Sequence, residues 1–374
     1  FTQGEFRLKW GERGDDVEMQ SCQFANCTLE IENADKVKVN ECVLTGAQST
    51  FKDATTLHVL SSQINQTFTA SANELIFLQE CASDDGYAPQ ITLGAPPDGA
   101  IELLDCEFRG DGGDMRFESN AEGSFTATHL ELTSGDTSFR GNEVTLNNCF
   151  VLDSTLSIAG IPDEEGFGLV TVTNCAFDAV GRTPLSRISG PGLYFENTIF
   201  NRQYLQADYG EGENINLLFE DCLFLNTTDP DAFMENEEYD PEKEAAKLNQ
   251  QYISSFAHGL VTVRDCRFFG GKGALEHSAR PGYVTTAQGE TVMERCLVER
   301  SKGAALSTNS DWTVADNNLF VGFNTGILTW GPGVILTSNT LTGVAGIAGD
   351  NGFSINFPMD MDFINNRVQE LPEG

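Results

Sequence analysis

The chain has 374 residues with 56 acidic against 22 basic side chains, a formal net charge of −34. A field of that sign argues against nucleic acid or anionic membrane as partner. No segment is long and apolar enough to insert in a membrane as a spanning helix.

Near the start, Glu5-Phe-Arg-Leu-Lys-Trp10 alternates as a strand does. Within residues 1–20 it is expected to cap the N-terminal end of the fold, since a bare sheet end exposes both core and edge. A short motif then recurs: an alternating strand, a polar turn residue, a small residue that is usually Cys, and an apolar residue two positions on. Val144-Thr-Leu-Asn-Asn-Cys-Phe150, Thr171-Val-Thr-Asn-Cys-Ala-Phe177, Phe219-Glu-Asp-Cys-Leu-Phe224 and Val263-Arg-Asp-Cys-Arg-Phe268 are its clearest copies. The small-residue position is filled in turn by Cys22, Cys42, Ser62, Cys81 and Cys106. After a degenerate copy at Leu130–Leu132 come Cys149, Cys175, Thr198, Cys222, Cys266, Cys296, Asn318, Thr340 and Asn366. A period in the low twenties is too short for helix pairs and suits three short strands joined by turns. The apolar residues within each unit alternate at period two. The one helix-like stretch is Pro241–Tyr252, inside an acidic insertion at residues 227–251.

A polar turn residue beside an inward Cys or Asn, once per unit, resembles the asparagine-ladder turn of right-handed parallel β-helices, the pectin-lyase-like solenoids. The resemblance covers residues 18–368 and implies an all-β, single-domain solenoid over 1–374, of about thirteen to fifteen coils. It implies no particular chemistry, because that scaffold carries lyases, hydrolases, tailspikes, adhesins and spacers.

In such a fold each inward residue stacks on its equivalent about 4.8 Å away. The ladder Cys are then expected to pack as small hydrophobes. No Cys-x-x-Cys pair exists for zinc, and stacked in-register Cys aim poorly for disulfides. No cofactor motif is present. The insertion offers carboxylates for calcium but lacks the spacing of a known calcium loop, so a solvated acidic loop is the plainer expectation.

Counting from Phe268 and Val298 at constant turn length sets His277, Ser307 and Thr329 in one inward row, continued by His258, with Glu276, Leu306 and Leu328 pointing outward. The outer face then offers Gln206, Asp208, Tyr209, Glu276, Arg280, Asn309, Asp311 and Trp330. Aromatic faces beside carboxylates suit sugar rings and their hydroxyls. Two functions are compatible with this face. One is a non-catalytic extracellular or cell-surface module, such as an adhesin, an envelope or appendage component, or a glycan binder. It would use Trp330, Tyr209, Gln206, Asn309, Asp311, His258 and His277. The other is a polysaccharide lyase or glycoside hydrolase with Glu276, Asp208 and Arg280 as catalytic candidates in the groove between residues 204 and 330. A cluster of carboxylates with a basic residue in that groove favours the second, and an evenly polar groove favours the first. The C-terminal Asp362-Phe-Ile-Asn-Asn-Arg-Val368 ends on a ladder turn, which points to further subunits or domains at the solenoid ends.

Overall fold

The computed structural model describes residues 2–12, 14–84, 89–95, 99–109, 115–119, 123–133, 135–179, 185–207, 214–225, 251–278, 287–343, 351–356 and 358–369. Among them every element is a strand, and the strands stack in parallel into a solenoid of about 13 coils. The chain divides into two compact units, Phe1–Val180 and Gly181–Gly374.

In the first unit one coil consists of Asp136–Gly141, Glu143–Asn147 and Phe150–Leu152, and the next of Thr155–Gly160, Leu169–Thr173 and Ala176–Asp178. They stack without slippage: Phe139 lies on Ile158, Val144 on Val170 and Val151 on Phe177. At the N-terminal end Gly4–Lys9 runs parallel to Gln23–Glu32 as a further rung, Phe6 over Leu29. In the second unit the apolar residue two past the ladder position makes a column. Phe200 stacks on Phe224 at 4.9 Å and Phe224 on Phe268 at 4.6 Å, with rings within 14° of parallel. Tyr252, fully buried, lies in the strand Gln251–Ser255 and stacks on Tyr204 at 5.6 Å. The expected helix therefore does not reach Tyr252. The rest of it, with nearly all of the acidic insertion, lies outside the described residues.

The turn before each ladder residue explains the motif. Its polar residue adopts the left-handed conformation in coil after coil, with φ of 51° at Glu41, 52° at Asn148, 56° at Asn174 and 53° at Asp221. Asn and Asp tolerate this region because their short side chains bond locally. The amide of the turn residue reaches the next coil, as from Asn148 to the Thr173 carbonyl at 3.1 Å. One position on, the ladder residue's own N–H donates to the side chain of its equivalent in the next coil. Cys149 N–H meets Cys175 Sγ at 3.3 Å, Cys42 N–H meets Ser62 Oγ at 3.0 Å, and Cys296 N–H meets Asn318 Oδ1 at 2.9 Å. Thiol, hydroxyl and amide are interchangeable as acceptors here. All ten cysteines are free, and only Cys22 among them is incompletely buried.

Two sequence expectations need correction. The ladder residue after Asn318 is Asn339 and not Thr340: Asn339 Oδ1 accepts from Asn318 N–H, and Leu341 occupies the apolar position two residues on. Residue counting through Leu297–Asp316 also slips by one, because a bulge between Ser301 and Ala304 alters the register. The row containing His277 is therefore Ser255, His277, Thr308 and Thr329. Ser307 lies level with Glu276, and Leu306 points inward with no exposure.

At the C-terminal end Asp360–Ile364 and Arg367–Gln369 stack on Gly333–Thr337 and Thr340–Thr342. There Phe363 and Val368 are exposed, while their equivalents one coil earlier, Leu336 and Leu341, are fully buried.

Candidate functional site

The candidate groove row runs Arg187, Gln206, Ser254, Glu276, Ser307, Leu328 and Ser354, one residue per coil in the second unit. Glu276 and Gln206 are half-buried. The neighbours of Glu276 in this row are the serines Ser254 and Ser307. Asp208, Tyr209 and Arg280 lie outside the described residues. Asn309 is 5% exposed and paired with Ser278, so it belongs to the wall and not to the outer face. Trp330 is half-buried, and its amide donates to the Thr308 carbonyl at 3.0 Å.

His277 is wholly enclosed. Its Nε2 donates to the Ala257 carbonyl at 3.1 Å, which leaves Nδ1 to accept from the Thr291 hydroxyl at 2.7 Å. Burial first, and then the neighbouring His258, hold its pKa down at about 4, so the ring is neutral. The network continues from Thr291 to Ser310 at 2.8 Å, and the Ser310 hydroxyl also reaches the Trp312 carbonyl at 2.8 Å. Thr308, Thr313 and Thr329 extend it on the other side. His277 thus presents no surface to a ligand; it anchors Thr291, beside the Ser310 hydroxyl that donates to the Trp312 carbonyl. His258 does not continue this row. It stands at the head of the strand His258–Arg264, where Nδ1 accepts from the Gln288 amide at 2.8 Å.

Next to this network the surface opens into a cleft of about 540 Å³, lined among others by Glu290, Asp311, Trp312, Gly333, Met359 and Asp360. The register builds it. Glu290, Trp312, Gly333 and Asp360 occupy the same outward position in four successive coils. Glycine at the third of these is a steric requirement: a Cβ on Gly333 would lie 2.4 Å from the Trp312 ring. The indole therefore lies over the Gly333 backbone, and Trp312 keeps 41% of its surface exposed. Asp311, one residue before it, accepts from the Gly289 amide at 3.2 Å and so holds the neighbouring coil's turn. Rungs about 4.8 Å apart put the Glu290 and Asp360 backbones about 14 Å apart, with the ring between them.

Of the residues expected from sequence, Asp311 alone lines this cleft. Sequence reasoning misses Trp312, Glu290 and Asp360. The signal for them lies in Gly333 standing opposite Trp312, visible only once the coils are aligned. No group of three or more metal-ligating side chains occurs among the described residues.

The coil stacking and the ladder turns define the class of the molecule, a parallel β-solenoid. The chain matches no known family, no curated protein and no solved structure.

Proposed function

We propose that this chain is a non-catalytic glycan-binding module of pectin-lyase-like β-helix type, working at a cell surface or outside the cell, with Trp312 as its binding platform. The observation that carries this reading is the indole seated against Gly333, part of its ring exposed in a cleft lined by carboxylates. A flat apolar face takes the C–H side of a pyranose, and carboxylates at the edges accept from its hydroxyls. Most of the lining residues lie in strands already paired to neighbouring coils, which limits the ordering entropy lost on binding.

The test is a glycan array probed with and without calcium, with each bound glycan then incubated and examined for shortened or unsaturated products. Binding that falls at least about tenfold in Trp312→Ala, which corresponds to about 1.4 kcal/mol, without product formation, is expected. Products would make the protein an enzyme and move attention to Glu276. Binding that is indifferent to Trp312 would remove the platform.

A further inference from the structure

The cleft's charge narrows the ligand class. Elsewhere on the outer surface a few carboxylates meet basic partners in neighbouring coils. Asp265 takes two hydrogen bonds from Arg295, at 2.7 and 2.6 Å, and Glu220 takes one from Arg264 at 2.9 Å. Around Trp312 no such pair forms among the described residues. Glu290, Asp311 and Asp360 line the cleft, and among the described residues no Lys, Arg or His side chain pairs with any of them. Asp311 spends one oxygen on the Gly289 amide, while Glu290 and Asp360 bracket the ring from one coil before it and two coils after it.

Each part of this arrangement selects something. The exposed indole face selects a flat ring or a cation, since the ring quadrupole attracts positive charge. The cleft's length along the solenoid axis, about 14 Å between the flanking backbones, fits an extended chain better than a single point charge. Three carboxylates without a basic partner disfavour an anionic glycan and favour a protonated amine, which donates charge-assisted hydrogen bonds. Resting on the proposed glycan binding, we infer that the Trp312 cleft recognises an amino sugar chain, a glucosamine-type polymer with free amines, in preference to neutral or acidic glycans. One ring stacks on Trp312, and the amines of its neighbours reach Glu290 and Asp360.

The experiment titrates the whole chain by calorimetry with three probes of equal length: a glucosamine hexamer, its fully N-acetylated counterpart and a cello-hexamer. It is run in low salt at a pH where the glucosamine amine is protonated. The glucosamine hexamer is expected to bind about tenfold more tightly than either neutral probe. The ratio should shrink towards one in the double variant Glu290→Gln, Asp360→Asn, and in wild type as alkaline pH removes the ligand's charge. Circular dichroism of the double variant checks that it is folded, and the alkaline arm tests the same point without any substitution. Equal affinity for all three hexamers would overturn the inference while leaving glycan binding standing. Binding to none would overturn the glycan reading itself. A polylysine peptide binding as tightly as the glucosamine hexamer would show a cation site for protein and would also overturn it.

Discussion

Replacing Asn339 by Ala removes a side chain that bonds both adjacent coils at once. Its Oδ1 accepts from the Asn318 amide at 3.1 Å and from Asn318 Nδ2 at 3.0 Å. Its Nδ2 donates to the Ala315 carbonyl at 2.8 Å and to Asn366 Oδ1 at 2.9 Å. Asn339 is fully buried and Asn318 nearly so, so water does not replace what is lost. Asn318 Nδ2 keeps the Met293 carbonyl at 2.8 Å, and Asn366 Oδ1 keeps the Asn339 amide at 3.1 Å. The Asn318 N–H, however, loses its side-chain acceptor. An orphaned buried donor costs about 1–3 kcal/mol, and each further bond lost adds about 1 kcal/mol, so about 3 kcal/mol is expected overall. Asn339→Cys should cost about half as much, because a thiol accepts the equivalent amide from Cys149, although more weakly. Urea unfolding followed by circular dichroism measures the global effect. Hydrogen exchange at the Asn318 amide measures the local one, and its protection should drop about tenfold or more in the alanine variant. A cost below about 0.5 kcal/mol for Ala, or equal costs for Ala and Cys, would refute the ladder account.

Acid should destabilise the second unit through His277. Its pKa is about 4 in the fold against an ordinary 6.5, so its contribution is complete above pH 6.5 and is lost as pH falls towards 4. The loss reaches about 3 kcal/mol, and comparing urea midpoints at pH 7 and 4.5 in wild type and His277→Gln isolates it. Only the wild type should show this component, and identical pH dependence in both would contradict it. Gly333→Ala forces the indole off its seat, so glycan affinity should fall about as far as in Trp312→Ala while the circular dichroism stays native. Full affinity would mean the ring's position is immaterial. Asn174→Val places a β-branched residue at φ 56° and should cost about 1–2 kcal/mol in urea unfolding. A neutral substitution would show that the turn relaxes freely.

The scaffold is legible in the sequence because its signal repeats. A polar residue that accepts a positive φ, then a small inward residue, then Phe or Leu two positions on, survives substitution of any one member. Where the signal fails, the reasons are local. Asn339 and Thr340 are both small and polar, and only the position of Leu341 decides between them. The bulge after Ser301 is marked only by Gly303, since a glycine inside a strand pattern can signal a bulge but does not say by how much the register slips. The two histidines look like a pair only under a constant turn length. The cleft is nearly invisible for a different reason. Trp312 and Gly333 are twenty-one residues apart, and the meaning of the glycine is the close approach of another coil's side chain.

The buried cysteines make the solenoid a recorder of its own breathing. In the native state a thiol-specific alkylating reagent finds Cys22 half-exposed and the remaining nine enclosed. Any later adduct marks a coil that has come apart long enough to be caught. Because the thiols are strung from Cys22 to Cys296, mass spectrometry of a timed labelling series would give an opening history coil by coil. The clock is already in the chain, and no cysteine has to be added to read it.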